Sequence, residues 1–125
     1  MILDTNALSA WADGDAGIRE PLESANRLLI PSVTLGEYWF GILQSRKRQR
    51  YESWLAAHLP SVEIALIGYQ TARNYAQIRV ELKQAGTPIP VHDTWIAALA
   101  RQHNQPVLSN DSHFDLVPRL QRIGW

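Results

Sequence analysis

Four acidic residues lie next to or within apolar segments of the sequence, and their carboxylates are suited to metal binding. They are Asp4, Glu37, Asp93 and Asp111. Carboxylates gathered in one place repel one another by about 4 kcal/mol per pair at 4 Å and an effective dielectric constant of 20, so a shared site must raise their pKa values or bind a cation. Oxygen donors without cysteine or clustered histidine favour Mg²⁺ or Mn²⁺ over zinc, and these ions support phosphodiester hydrolysis.

Each acid also has a simpler interpretation when it is considered alone. Asp4 follows an apolar run and could end a strand in an Asx turn. Asp93 lies in the first turn of a predicted helix, where the helix dipole favours a carboxylate. Glu37 interrupts a largely apolar helix, and a buried carboxylate is costly unless it is paired or bound to a cation, so a functional role is favoured for it. Asp111 belongs to a polar cluster that follows an apolar run.

Other catalytic chemistries find little support in the residue types. We expect His92 to point away from Asp93 at the helix start and His113 to be isolated. Surface or hydrogen-bonding roles are therefore favoured over metal ligation for both histidines. The sequence has no Gly-x-Ser-x-Gly motif of a serine hydrolase, no P-loop and no Gly-x-Gly-x-x-Gly fingerprint.

The apolar periodicity predicts strands and helices in alternation. Strands are predicted over residues 1–3, 28–30, 62–66, 107–108 and about 120–123. Six helices are predicted: one that begins at residue 7, one that ends at about residue 26, one that begins at residue 33 with Ser32 as N-cap, one that ends at residue 58, and two over residues 69–85 and 93–103. Such alternation favours an α/β fold of parallel strands with helices on both faces. Because parallel strands share one carboxyl edge, Asp4 and Asp111 should converge there with Asp93, and Glu37 should reach them from inside its helix.

Length and composition indicate one ordinary globular domain over residues 1–125, with 46% hydrophobic and 19% charged residues. We expect a cytoplasmic protein, because the sequence has no membrane-length apolar run, no leader pattern and no cysteine. Twelve basic residues balance twelve acidic ones, which argues against a general polyanion-binding surface. The one basic cluster fits a solvated helix start and a contact with RNA or a partner about equally. It contains Arg46, Lys47, Arg48 and Arg50.

Four short motifs in this order resemble those of the PIN-domain ribonucleases, and among them the VapC-like toxins of toxin–antitoxin pairs. They are Leu3-Asp4-Thr5-Asn6, Ser-x-x-x-Gly-Glu over residues 32–37, Asp93-Thr94-Trp95-Ile96-Ala97-Ala98, and Leu108-Ser109-Asn110-Asp111 before Phe114. The likeness covers essentially the whole chain. It implies a three-layer α/β/α fold with a small twisted parallel sheet of four to five strands. It also implies an acidic Mg²⁺ or Mn²⁺ site, RNA cleavage, a homodimer, and inhibition by a cognate antitoxin.

The resemblance also carries roles onto individual positions. Asp4, Glu37, Asp93 and Asp111 match the acidic quartet of the family. Asn6 matches a polar residue that supports the first aspartate, and Ser109 matches a hydroxyl near the metal. The chain departs from the family pattern at His92, where Asn or another small polar residue is frequent, and at His113, where an acid is frequent.

The resulting hypothesis is a metal-dependent endoribonuclease in which Asp4 and Asp93 bind the main ion, and Glu37 and Asp111 complete the site directly or through waters. A catalytically silent PIN module that binds RNA or a protein is the alternative from another class. A Mg²⁺-dependent phosphatase with Asp4 as covalent nucleophile is a third reading, which would require a second aspartate at the position of Asn6.

Overall fold

A computed structural model describes residues 1–125 and shows five short strands and six α-helices. The strands are β1 (Ile2–Leu3), β2 (Leu29–Pro31), β3 (Glu63–Ala65), β4 (Val107–Leu108) and β5 (Arg122–Ile123). The helices are α1 (Thr5–Ala12), α2 (Arg19–Ser24), α3 (Ser32–Gln44), α4 (Arg48–His58), α5 (Tyr69–Gln84) and α6 (Val91–His103). No helix combines the length and the apolar character that crossing a membrane requires.

All strand pairings are parallel, in the order β3-β2-β1-β4-β5. Successive residues of a strand point to opposite faces of the sheet, and the two faces build two separate cores. Ile2, Leu29 and Val107 pack with α5 and α6 on one face. Leu3, Ile30 and Leu108 pack with α1, α3 and α4 on the other. The predicted three-layer α/β/α fold with a parallel sheet of four to five strands is confirmed.

Two predicted helix starts are displaced by prolines. Pro31 ends β2 with an extended ψ of 143° and occupies the N-cap position of α3, so Ser32 is the first helical residue and the predicted Ser32 cap is wrong. Pro90 likewise occupies the N-cap position of α6, which begins at Val91. Asp93 is therefore the third residue of α6 and still lies in its first turn. Asn104, at a left-handed φ of 51°, ends α6 and turns the chain toward β4.

Candidate active site

Three of the predicted acids lie close together at the carboxyl edge of the sheet. Asp4 follows β1 and caps α1, where its Oδ1 accepts a hydrogen bond of 2.7 Å from the Thr5 amide. Asp111 lies three residues beyond β4 and caps a short 3₁₀ turn, Ser112–Leu116, by accepting from the His113 amide at 2.9 Å. Asp93 belongs to the first turn of α6. The predicted convergence of Asp4, Asp93 and Asp111 is thus what the structure shows.

Asp4 is held by side chains that come from β4 and α1. The Ser109 hydroxyl donates to Asp4 Oδ2 at 2.8 Å, and the Asn6 amide nitrogen lies 3.2 Å from both Asp4 Oδ2 and Ser109 Oγ. Ser109 Oγ also accepts from the Asp111 amide at 2.9 Å. Asn6 and Ser109 therefore both contact the Asp4 carboxylate. They connect the loop after β4 to the carboxylate after β1.

Burial is the main electrostatic fact about Asp4, which is only 4% exposed. Loss of solvation raises the pKa of its carboxyl, and the negative charge of Asp93 adds to the rise, while hydrogen bonds from Ser109 and Thr5 oppose it. The ionised form of Asp4 is therefore unfavourable in this site, and a bound cation would stabilise it.

Two histidines enter the acidic cluster, contrary to the sequence expectation. His113 Nδ1 lies 3.0 Å from Asp93 Oδ2 and 3.0 Å from Asp111 Oδ1, so His113 is not isolated. His92 Nδ1 lies 3.7 Å from Asp93 Oδ1, so His92 does not point away. The hydrogen bond with Asp93 raises the pKa of His113, and the charges of Asp111 and Asp93 reinforce the rise.

The cause of the missed histidine lies in the turn after β4. Asp111 accepts from the His113 amide and Phe114 is fully buried, so the 3₁₀ turn folds back and directs the ring at position 113 toward α6. An aspartate two residues before a histidine, followed by an aromatic anchor, is a signal that sequence reasoning could have used. His92 was missed because its place in the first helical turn depends on where α6 begins.

Asp93 belongs to two groups of possible metal ligands. One contains Asp4, His92 and Asp93, and the other contains Asp93, Asp111 and His113. Within each group the donor atoms all lie within 4.8 Å of one another. Each group thus offers one imidazole nitrogen beside its carboxylate oxygens, whereas the sequence predicts oxygen donors alone.

Glu37 lies at the rim of this site rather than within it. It lines an open pocket of about 500 Å³ together with Asp4 and Asp93, but it is exposed and belongs to neither group of ligands. The helix buries Thr34, Tyr38 and Ile42, whereas Trp39, Phe40 and Leu43 of α3 are exposed. The expectation of a buried Glu37 is wrong for this reason. Three carboxylates, not four, make the tight cluster.

A cleft of about 290 Å³ continues from this pocket between α1, α3 and α4. The cleft and the pocket share Thr5, Ser9 and Glu37 in their walls. Tyr38 is almost fully buried in the cleft wall, its hydroxyl has no partner, and burial raises its pKa to about 12. The far end reaches Ser45 and Tyr51, which flank the basic cluster.

The four residues of the basic cluster are all exposed. Arg48 pairs with Glu52 at 2.7 Å, and the Arg50 guanidinium lies 5.8 Å from the centre of the Tyr51 ring. Arg46 and Lys47 form no salt bridge. Their positive charge is therefore not offset by an ion-pair partner.

Comparison with known proteins agrees with this geometry. The family model described as "PIN domain" matches residues 1–120. This chain belongs to the PIN-domain family. Ribonuclease VapC2 of Rickettsia felis is 30% identical, with 99% of this chain and 96% of the relative aligned. The tRNA(fMet)-specific endonuclease VapC of Salmonella typhimurium is 28% identical, with 100% of this chain and 97% of the relative aligned.

Solved structures of VapBC complexes resemble this PIN domain over nearly its full length. The complex of VapBC2 from Rickettsia felis with a promoter DNA fragment contains a chain with a TM-score of 0.88 and 27% identity, covering 99% of this chain and 97% of its own. DNA-bound VapBC from Salmonella typhimurium gives a TM-score of 0.86 and 28% identity, covering 99% and 96%. The predicted VapC-like character of this PIN domain is confirmed.

The donor atoms of this PIN domain fit a divalent cation. Asp4 is buried with a raised pKa beside a second carboxylate, which is the condition that a bound cation relieves. Two carboxylates and two imidazoles lie around the Asp93 carboxylate at distances that one or two ions can span. The open pocket has no hydrophobic residue in its lining, so a hydrated ion and a phosphate can enter it.

Proposed function

We propose that this PIN domain is a metal-dependent endoribonuclease and the toxin of a toxin–antitoxin pair. The observation that carries the proposal is the convergence of Asp4, Asp93 and Asp111 at one open edge of the sheet. The relatives named as a ribonuclease and a tRNA-specific endonuclease support RNA as the substrate class. The proposed cofactor is Mg²⁺ or Mn²⁺.

In this proposal Asp4 and Asp93 hold the main ion, and Asp111 and Glu37 complete the site directly or through waters. When bound, such an ion lowers the pKa of a water and neutralises charge on the phosphate, which promotes in-line attack at phosphorus. Ser109 and Asn6 fix the orientation of the Asp4 carboxylate through the hydrogen bonds described above. Glu37, at the solvent-facing rim, is placed to accept a proton or to hold a water beside the substrate.

The basic cluster supplies the proposed contacts to RNA or to the antitoxin. Arg46, Lys47, Arg48 and Arg50 stand beyond the end of the cleft that leaves the acidic pocket. A single strand whose scissile phosphate lies at Asp93 can follow this cleft toward them, because positive side chains attract the phosphates on either side.

The experiment that tests the activity compares the wild-type chain with Asp93→Asn on a broad RNA panel that includes initiator tRNA. With Mg²⁺ or Mn²⁺ we expect the wild type to cut, EDTA to stop cleavage, and the variant to be slower by about 100-fold or more, because loss of a ligand exceeds the 10–100-fold effect of outer-shell changes. Sequencing the new 5′ ends then gives the cleavage site. If the two proteins leave every RNA equally intact, the enzyme proposal is wrong and a silent RNA- or protein-binding module takes its place.

The toxin assignment needs its own test. The similar structures are of VapBC complexes, two of them bound to DNA, so we propose a small DNA-binding antitoxin as partner and a homodimer of this chain within the complex. Co-expression with the protein of the adjoining reading frame should yield a stable complex that no longer cleaves RNA. A neighbouring protein that neither binds this chain nor protects the RNA would contradict the toxin assignment.

A further inference from the structure

The imidazole of His113 has an environment that a surface histidine does not have. Its Nδ1 lies 3.0 Å from a carboxylate oxygen of α6 and 3.0 Å from a carboxylate oxygen of the turn after β4. The side chain is half-exposed, so burial does not force it into this position. Two negative groups on separate elements are thus brought to one ring nitrogen.

We propose that His113 Nδ1 is a metal ligand, and that it makes this centre prefer a first-row transition ion to Mg²⁺. The inference rests on the proposed metal-dependent function and adds the identity of a ligand and the class of ion. It concerns a position at which this chain departs from the acid that is frequent in the family.

The spacing of His113 Nδ1 from the two carboxylate oxygens matches that of neighbouring ligands in a coordination polyhedron. In an octahedral site with bonds of about 2.1 Å, neighbouring ligands are about 3.0 Å apart. Nδ1 of His113 is at that distance from Asp93 Oδ2 and from Asp111 Oδ1. Since the donor atoms of the three residues all lie within 4.8 Å of one another, one ion can reach all of them. The hydrogen on Nδ1 then leaves to solvent, because only the neutral ring ligates.

His92 does not share this arrangement, which makes it a useful comparison within the same site. Its Nδ1 contacts one carboxylate oxygen, Asp93 Oδ1, at 3.7 Å. Its other nitrogen, Nε2, is buried without a hydrogen-bond partner, whereas the half-exposed ring of His113 can anchor its second nitrogen to water, as ligating histidines do. We therefore assign ligation to His113 and not to His92.

The consequence for ion choice follows from ligand chemistry. Mg²⁺ prefers oxygen donors and gains little from imidazole, whereas affinity for mixed nitrogen and oxygen sites rises from Mn²⁺ through Co²⁺ to Zn²⁺. Replacing His113 by asparagine keeps an oxygen donor and removes the nitrogen. That substitution should weaken the binding of Co²⁺ and leave the binding of Mg²⁺ nearly unchanged.

Two measurements on the full chain without RNA test the proposal. Titration calorimetry with Co²⁺ and with Mg²⁺ should show that His113→Asn loses about tenfold or more in Co²⁺ affinity. The Co²⁺ to Mg²⁺ affinity ratio should stay within about threefold of wild type in His92→Asn, and in His103→Asn, a histidine at the far end of α6. A ratio that falls in His92→Asn and not in His113→Asn overturns the assignment.

The second measurement needs no substitution. Pulsed electron paramagnetic resonance of bound Mn²⁺ should show modulation from one ¹⁴N nucleus, and this signal should change to that of ¹⁵N when only histidine is labelled. If Mn²⁺ binds in an Asp93-dependent way without nitrogen modulation, His113 is only a hydrogen-bonding partner and the endoribonuclease proposal survives. If neither Mn²⁺, Co²⁺ nor Mg²⁺ binds, the ligand assignment and the proposed metal-dependent function fail together.

Discussion

At the scale of single residues, Asp4 combines burial with a neighbouring negative charge, an arrangement that costs stability unless a cation is bound. Its pKa is raised by loss of solvation and by Asp93. For an acid with a raised folded-state pKa, the folded protein binds protons more tightly than the unfolded chain does, so Asp4 lowers stability as the pH rises through the unfolded-state pKa toward the folded-state pKa. At neutral pH without metal the full penalty is present.

We therefore predict that Asp4→Asn raises the free energy of unfolding of the metal-free protein at neutral pH, by about 0.5–2 kcal/mol, the usual size of a stabilising substitution. Urea unfolding in EDTA is the measurement, with Glu23→Gln, an exposed acid on α2, as the control. With Mn²⁺ at about 100 times its Kd, the wild type should become more stable than Asp4→Asn. Bound Mn²⁺ adds about 2.7 kcal/mol to the free energy of unfolding of the wild type and nothing to that of the variant, which lacks the ligand. A variant that is less stable than wild type in EDTA would contradict this account.

Ser109 is the second residue whose removal has a defined cost. It is fully buried and bonds three groups: the Asp4 carboxylate, the Asn6 amide and the Asp111 backbone. Ser109→Ala should destabilise the protein by about 1–3 kcal/mol, because buried polar atoms lose their partner. It should also weaken Mn²⁺ binding, since Asp4 and Asp111 are no longer tied together.

Chemical denaturation and calorimetry with Mn²⁺ measure these two effects of Ser109→Ala. The matched control is Ser24→Ala, since the Ser24 hydroxyl makes one exposed bond, to the Pro21 carbonyl. If Ser109→Ala and Ser24→Ala lose equally little stability and equally little Mn²⁺ affinity, the hydrogen bonds of Ser109 do not position the acids.

Sequence reasoning predicted three of the acidic positions because each follows from a local rule. Asp4 and Asp111 come after short apolar runs, so parallel topology brings both to one edge, and Asp93 lies in the first turn of α6, which begins at that edge. The neighbourhood of Glu37 could not be predicted in this way. Whether an apolar helix residue is buried depends on which face meets the sheet, and α3 leaves Phe40 61% exposed. The direction of the His113 ring follows from the turn that Asp111 caps and the buried Phe114 anchors, so the order of these residues is the one local signal for it.

At the scale of elements, the residues at the start of α4 carry positive charge, whereas the pocket around Asp4 and Asp93 is acidic. The acidic pocket repels phosphates, so productive RNA binding requires positive side chains nearby. Arg46 and Lys47 precede α4, are exposed, and form no salt bridge. Replacing them should therefore weaken RNA binding without disturbing the fold.

We predict that the double substitution Arg46→Gln and Lys47→Gln lowers the slope of log affinity against log salt concentration by about 1.4, or about 0.7 for each lost contact with a single strand. The measurement uses RNA that stays uncut, with Asp93→Asn as the background. The control replaces Arg73 and Lys83, exposed residues of α5 that line neither the pocket nor the cleft. If both pairs change the slope equally, the basic cluster has no special part in RNA binding.

At the scale of the whole molecule, the site exists because β1 lies between β2 and β4. Alternating strands and helices predict a parallel sheet, yet they do not determine the strand order, because each pairing joins residues far apart in sequence. Ile2 pairs with Leu29 on one side and with Val107 on the other. The central position of β1 places Asp4 beside the loop that carries Ser109 and Asp111. Strand order is therefore the part of the site that local patterns could not supply.

The same architecture leaves large apolar side chains of α3 facing solvent, which bears on the proposed homodimer. Phe40 is 61% exposed and Leu43 is 55% exposed, with Trp39 beside them. Contiguous exposed apolar surface of this kind marks interaction sites, because its burial against a second copy removes the area from water.

We predict that the purified chain sediments as a dimer, with twice the mass of 14.2 kDa of one chain. Phe40→Ser with Leu43→Ser should shift it to the monomer, while Val80→Ser, which alters a 53% exposed residue of α5, should not. A wild-type chain that stays monomeric across the accessible concentration range would contradict the dimer, and a dimer unaffected by the α3 substitutions would place its interface on another face.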